Sequence, residues 1–398
     1  MGGLGRKHLI FVAAAAVVAA ACLPVGPPPP PPLATQVCGM SYASASAYQN
    51  DFSALTHGNT GWITADGYVP TQLPGGNTGW WMSDTTVGSV NPDNSAPDQG
   101  HVHNSLVVQD SNCLTPKLGG QAFQWVDYIQ PPPERWYWPG STVAENDTLL
   151  VFAYIVGPGN GPDPGFDFTI HGTTVLRYHL PDLAFQGATN LPVQAPPTAV
   201  PSYGSEPIPW GIRSVDVDGT VYLYGTTRRS NLGPADVWVA KTSFANVTNP
   251  DTWQYFTGLP GGLEWNGDFT LAKPMSFPAT PDLANAPLGQ LSVVPYGSKY
   301  LGSAMSDVLD TRIRAWIADS PEGPWTYLGV VATAQFQNPA ADPQPQFAYD
   351  ARVAELSGAA GWTVVYSVND PHPEDQQQNV TLYRGQFATP IGGVLPPP

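Results

Sequence analysis

Short stretches rich in aromatic and β-branched residues recur along the chain, separated by clusters of Gly, Pro, Asn and Asp. Each apolar stretch, turn and second apolar stretch reads as a β-hairpin. The first runs from Trp62 through Asp66, Gly67 and Val69, turns at Pro74-Gly75-Gly76-Asn77, and returns through Trp80 to Thr85, with a further strand at His103 to Gln109. The second follows Trp136-Tyr137-Trp138-Pro139-Gly140, with strands at Leu149 to Val156 and Thr173 to Leu180. The third begins at Trp210-Gly211-Ile212 and turns at Asp218-Gly219, a strong two-residue hairpin signal. Its strands are Ile212 to Val217, Val221 to Thr226 and Val237 to Lys241. The fourth comprises Leu291 to Pro295, Lys299 to Met305 and Arg312 to Ala318. The fifth comprises Ala351 to Leu356, Trp362 to Asn369 and Val380 to Phe387. No convincing amphipathic helix of any length stands between them.

Two units echo each other. Trp238-Val239-Ala240-Lys241-Thr242 leads to Trp253-Gln254-Tyr255, and Trp316-Ile317-Ala318-Asp319-Ser320 leads to Trp325-Thr326-Tyr327. Five hairpin-led units of roughly 65 residues predict an all-β chain folded as a five-bladed β-propeller around a central channel. A pair of packed sandwiches is the competing architecture. In a propeller the first strand of each blade starts at one mouth of the channel and the second strand ends there. That rule places Asp66, Asp84, Trp138, Trp210, Tyr349, Arg352 and Asn369 at or near the mouth.

Composition sharpens this picture. Of 398 residues only 12% are charged, while Gly numbers 41 and Pro 45, which suits short strands and tight turns better than long helices. Thirteen Trp and seventeen Tyr suit an aromatic-lined sugar site. The net charge of −16 argues against nucleic acid as a partner and against a general affinity for anionic membranes.

The N-terminus reads as a targeting signal over 1–22. Arg6-Lys7-His8 precede an apolar run from Leu9 to Ala21, shorter than the roughly 20 residues a bilayer-spanning helix needs. Ala19-Ala20-Ala21-Cys22 resembles a bacterial lipoprotein cleavage box, with Ala19 where Leu is usual, so lipidation of Cys22 and plain secretion both remain open. With Cys22 lipidated or removed, Cys38 and Cys113 remain to form one disulfide, a staple and not a redox site. A Pro-rich linker and N-terminal segment (23–45), the propeller (46–392) and a Pro-rich tail (393–398) complete the expected domain plan.

The first hairpin carries the candidate chemistry. Folded about Gly75, it sets Asp66 opposite Asp84, where Cβ atoms of directly opposed residues lie about 5 Å apart. Like charges placed so are destabilising, and two neighbouring carboxylates are what glycoside hydrolysis uses. The competing reading makes Asp66 part of a local Asp-Gly bend and Asp84 a strand end. Coupling between the two would push their ionisations apart and leave one protonated near neutral pH.

The segments Ala65-Asp66-Gly67, Leu73-Pro74-Gly75-Gly76, Ser83-Asp84-Thr85 and His103-Asn104-Ser105-Leu106 occur in that order. They resemble a family of actinobacterial exported propellers, formerly catalogued as a domain of unknown function and later recognised as endo-D-arabinanases. Trp138-Pro139-Gly140, Trp210-Gly211, Tyr349-Asp350-Ala351-Arg352 and Ser367-Val368-Asn369 are similar to later landmarks of that family. The resemblance runs from about Trp62 onward and implies a five-bladed propeller that cuts internal α-D-arabinofuranosyl linkages in arabinogalactan and lipoarabinomannan. It also implies that Asp66 and Asp84 are the catalytic pair. Met82-Ser83 departs from the aromatic residue and Gly more often found before the second Asp.

Around that pair, His103 and Asn104 are candidate sugar hydrogen-bonders, and Trp138 and Trp210 candidate stacking platforms. Tyr349 and Asn369 are further substrate contacts, and Arg352 is a candidate for orienting a carboxylate. His101-x-His103 suggests metal ligation or a substrate contact, but no third ligand is close in sequence, so no metal and no other cofactor are expected. Asp216-Val217-Asp218-Gly219 lacks the further ligands of a calcium loop and reads as a turn. The expected protein is a monomer, secreted or anchored at the cell envelope, with cell-wall arabinan as its partner and membrane contact only through a lipid on Cys22. An L-arabinan hydrolase and a non-catalytic sugar-binding propeller are the alternatives.

Overall fold

The computed structural model describes residues 34–121, 124–126, 129, 134–159, 168–197, 207–228, 235–260, 262–278, 291–306, 310–335, 346–357 and 361–398. The expected signal segment and Cys22 lie outside these residues. The apolar stretches form antiparallel strands with few helices, so the described chain is all-β. Five sheets hold most of the strands and follow one another along the chain. The first contains Val37–Cys38, Val69–Leu73, Asn77–Met82, Ser105–Gln109 and Cys113–Lys117. The second runs Trp136–Glu145, Thr148–Pro158, Phe168–His179 and Ala184–Asn190. The third runs Arg213–Val217, Thr220–Arg228, Ala235–Ser243, Gln254–Phe256 and Trp265–Asn266. The fourth runs Ser292–Tyr296, Lys299–Ala304, Arg312–Ala318 and Thr326–Thr333. The fifth holds Phe347–Leu356, Gly361–Asn369 and Arg384–Ala388.

Among the described residues, side-chain packing and not strand pairing joins the sheets. Val69, Trp81 and Leu106 of the first share one apolar cluster with Tyr137, Leu149 and Val151 of the second. Phe152 and Val175 of the second meet Trp238 and Tyr255 of the third. Tyr224 and Val239 of the third meet Val293 and Trp316 of the fourth, and Leu301 and Ile313 of the fourth meet Val353 and Tyr366 of the fifth. A further cluster joins Leu356, Val365 and Phe387 of the fifth to Trp62, Trp80 and Val107 near the first. Removing one of these fully buried indoles, such as Trp80→Ala, would cost about 3–5 kcal/mol. One strand from each of the five sheets, Val69–Leu73 in the first and the leading strand in the other four, lines a single cavity of about 610 Å³.

A helix contradicts the expectation of none. Ala45–Thr56 starts at Ser44, whose side chain accepts the Ala47 N–H at 3.1 Å. Its buried residues Ala45, Tyr48, Phe52 and Leu55 follow the spacing of one helical face. Tyr48 and Phe52 stack on Phe387 of the fifth sheet, with ring centroids 5.5 and 5.4 Å apart. The helix therefore wedges the fifth sheet against the first. Val380–Leu382, expected to open a strand, forms a short 3-10 turn instead.

Cys38 and Cys113 are disulfide-bonded and sit opposite each other in the antiparallel pair that ends the first sheet. The Pro-rich tail packs against the fold. Val394 and Leu395 lie against the cluster between the fourth and fifth sheets, and Tyr296 donates its hydroxyl to the Pro396 carbonyl.

Candidate active site

The first hairpin is broken in the middle, and the break makes the site. Val69–Leu73 pairs with Asn77–Met82, and Leu73 stands opposite Asn77. Beyond the break, Ala65 stands opposite Thr85, in a small sheet of Trp62–Ala65, Thr85–Val87 and Gly100–Val102. Between these ladders Asp66 donates its N–H to the Asp84 carbonyl at 3.1 Å, and Ser83 donates to the Asp66 carbonyl at 3.0 Å. The two aspartates are thus opposed in register, as the turn about Gly75 predicts. Gly67 allows the break for two reasons. Its φ of +66° is left-handed, and a Cβ there would stand 2.6 Å from Ser83 Oγ. Its N–H, freed from the ladder, donates to Ser367 Oγ of the fifth sheet at 3.0 Å.

The carboxylates occupy contrasting surroundings. Asp66 is 9% exposed. Its Oδ2 accepts from the Tyr349 hydroxyl at 2.5 Å, whereas Oδ1 is buried with no hydrogen-bond partner. Burial, then the nearby Asp84 charge, raises its proton affinity well above the usual carboxylate range, against the pull of the Tyr349 hydroxyl. Asp84 is more open, with a side chain 26% exposed. Its Oδ1 accepts from Trp138 Nε1 at 2.7 Å, with His103 Nδ1 at 3.1 Å and His101 Nε2 at 3.5 Å. Burial pushes Asp84 up, but the hydrogen bonds and charges of His101 and His103 outweigh it and hold the group below the usual range. One carboxyl is therefore kept neutral beside one kept ionised. That pairing suits proton donation by the first and nucleophilic or general-base action by the second.

Three elements outside the hairpin complete the surroundings. Trp138 comes from the first strand of the second sheet and packs edge-on to Phe168, with centroids 4.7 Å apart. Trp136 stacks on His103 at 4.5 Å, and its Nε1 is buried without a partner. From the fifth sheet, Asn369 donates to the Tyr349 hydroxyl at 3.3 Å, and Tyr349 stacks on Phe347. Tyr383 donates its hydroxyl to the Asp84 carbonyl at 2.7 Å.

Asp66, Asp84, His103, Trp138, Tyr349 and Asn369 are thus brought together. Three other candidates are not. Asn104 is fully buried, and its amide bonds Ile129 N–H, Ile129 O and Tyr137 O, so it fastens a loop and offers nothing to a sugar. Trp210 is fully buried against Trp253, Tyr255 and Phe269, with Nε1 donating to Gln194, so it is core and not a platform. Arg352 is buried on the wall of the cavity and pairs with Asp350 at 2.6 Å, with no hydrogen bond to Asp66 or Asp84 among the described residues. Trp136 lies inside a motif the sequence offers without being singled out, and His101, read with His103 as a metal or substrate contact, lies beside Asp84. Tyr383 had no such signal, because it reaches the site from the far end of the chain.

No third ligand is close to His101 and His103 in sequence, but in space Asp84 joins them. Donor atoms of Asp84, His101 and His103 lie within 4.8 Å of one another, as do those of Asp370, His372 and Asp375. In the first group Asp84 Oδ1 is already the acceptor for Trp138.

Residues 49–388 match the family model described as Domain of unknown function (DUF5005). No curated protein matches the chain. Among solved structures, a candidate hydrolase from Bacteroides ovatus is 19% identical with a TM-score of 0.62, the match covering 83% of this chain and 86% of that one. That likeness is one of fold. A GH43 enzyme from Xanthomonas citri in complex with xylose is 14% identical at a TM-score of 0.47, over 83% and 88% of the two chains. An endo-arabinase from Bacteroides thetaiotaomicron is 10% identical at 0.43, over 83% and 94%. These two are too loosely superposed to carry an argument.

Proposed function

The chain belongs to the family described as Domain of unknown function (DUF5005), and for it we propose an exported glycoside hydrolase that cleaves internal α-D-arabinofuranosyl linkages of cell-wall arabinan. The observation that carries this reading is the opposed pair Asp66 and Asp84, one buried beside Tyr349 and one held by Trp138, His103 and His101. Asp66 acts as the acid. Burial and the Asp84 charge keep its carboxyl protonated, ready to pass the proton to a glycosidic oxygen. Asp84 attacks the anomeric carbon or activates a water. Trp138, with Phe168 beside it, offers a ring face for a furanose. Asn369 fixes Tyr349, and Tyr349 fixes Asp66.

The five sheets around one cavity are read as the five blades of a propeller, the architecture in which first-strand residues of every blade meet at one mouth. The D-arabinan specificity rests on the resemblance of the Asp66 and Asp84 motifs to endo-D-arabinanases. A signal over 1–22, followed by either lipidation of Cys22 or plain secretion, and a monomeric state belong to the same reading.

Incubating the purified protein with mycobacterial arabinogalactan, and separately with plant L-arabinan, tests it. Short oligosaccharides from the first substrate alone, lost in both Asp66→Asn and Asp84→Asn, are expected. Release from L-arabinan alone would move the specificity elsewhere. Binding of arabinogalactan without release would replace the enzyme by a sugar-binding propeller.

A further inference from the structure

A second charged cluster lies on the wall of the central cavity and takes no part in the chemistry above. Arg213, from the first strand of the third sheet, donates to the Gly140 and Ile212 carbonyls and to one oxygen of Asp350. Arg352, from the first strand of the fifth sheet, donates to the other oxygen of Asp350 at 2.6 Å. Two guanidiniums thus share one carboxylate, which leaves a surplus positive charge. Both arginines are about 95% buried, at 6% and 5% exposure, and in each the Nε has no hydrogen-bond partner. Asp350 itself is held at a left-handed φ of +55°, in the irregular part of its strand, where it meets both arginines.

The surroundings do not cancel that surplus. Asp66 interacts electrostatically with Asp350, but burial favours its neutral form, and its carboxyl is hydrogen-bonded to Tyr349 and not to either arginine. Glu355 also lines the cavity but is exposed and three residues along the strand, about 10 Å at the usual strand rise. Burial pushes the Arg352 guanidinium down to about 10, with Asp350 pulling it back up and the Arg213 charge adding to the fall. Burying an uncompensated cation is expensive unless a counter-charge accompanies it. Both side chains line the cavity of about 610 Å³, together with the polar residues Ser214, Ser292 and Thr142.

We propose that this end of the cavity is a binding site for a small monovalent anion of the halide class, held between Arg213 and Arg352 behind the candidate active site. One negative charge matches the surplus of one positive charge. The anion completes an arginine–anion–arginine–aspartate arrangement that ties the third sheet to the fifth across the channel. The site is independent of any glycosidase activity.

Crystals of the full chain soaked in sodium bromide and measured at the bromine absorption edge test this directly. An anomalous peak beside the Arg213 and Arg352 guanidiniums is expected. Peaks only on the outer surface, or none, would overturn the proposal. In solution, melting temperature should rise saturably with sodium chloride relative to sodium gluconate at equal ionic strength. Arg352→Gln should lose that difference. Identical melting of the wild-type protein in the two salts would also count against the site, whether or not the variant folds.

Discussion

Two Asp-Gly dipeptides sit in hairpins of this chain, and they do opposite things. Asp218-Gly219 caps the first hairpin of the third sheet. Both residues take left-handed φ values of +50° and +79°, the Gly219 N–H donates to Asp216 Oδ1 at 2.9 Å, and Asp218 is exposed. Asp66-Gly67 instead interrupts a ladder. Only the glycine is left-handed, and Asp66 stays in register with Asp84, its side chain turned into a buried place against Tyr349. At the turn the dipeptide satisfies the backbone, so its carboxylate is spare. At the break the backbone is satisfied by Asp84, Ser83 and Ser367, and the carboxylate is what the geometry spends its freedom on. The same local bend is therefore a turn where the strand ends and a site where the strand continues.

The comparison breaks most visibly in turnover. Asp66→Asn and Asp84→Asn should each lower arabinan cleavage about 10²–10⁴-fold, the range general acid–base groups supply, read as reducing-end release with unchanged far-ultraviolet circular dichroism. Asp66→Asn should also melt higher than the wild type at neutral pH. The sign follows from linkage. A carboxyl whose folded proton affinity is raised contributes fully below its ordinary range, and the contribution is lost as pH rises through the raised value. Asn carries no such cost.

Gly67→Ala adds a left-handed alanine and a contact with Ser83, and should destabilise by about 2 kcal/mol or more. Gly219→Ala, with its nearest atom at 3.6 Å, should cost about 1 kcal/mol from conformation alone. Urea midpoints measure both, and equal costs would remove the steric half of the contrast.

Tyr349→Phe gives a finer test. Its hydroxyl favours ionised Asp66, so its loss should move the alkaline limb of the pH–rate profile to higher pH, with a drop in rate of about tenfold or less. An unmoved limb would separate Tyr349 from the acid. The smallest effect belongs to Asp218→Asn, for which less than a twofold change in rate is expected.

Much of this was legible in the chain. The turn residues around Gly75 gave the register that opposes Asp66 and Asp84, and the cysteine arithmetic gave the pair Cys38 and Cys113. Strand positions in the later sheets were readable because Gly and Pro punctuate them. The helix Ala45–Thr56 was missed because its polar face carries little charge, although Ser44 and the spacing of Ala45, Tyr48, Phe52 and Leu55 were there to see. Asn104 is read as a sugar contact because it follows His103, and Trp210 is placed at the mouth by its position along a strand. That rule fixes where a residue's backbone lies but not whether its side chain turns toward the channel or between sheets. Arg352 does hold a carboxylate, that of Asp350, and what the sequence hides is the second arginine, Arg213, which meets the same carboxylate only in three dimensions. Tyr383 reaches Asp84 across 299 positions of sequence, and no local pattern announces such a contact.

The central claim is that the two opposed aspartates are held in different protonation states. Carbon-13 NMR of the protein labelled at aspartate carboxyls, titrated from acid to mildly alkaline pH and compared with Asp66→Asn, measures it directly. One carboxyl resonance titrating well above the ordinary aspartate range and absent from Asp66→Asn, with the Asp84 resonance ionised down to strongly acidic pH, is the predicted result. Two resonances titrating together in the ordinary range would contradict it.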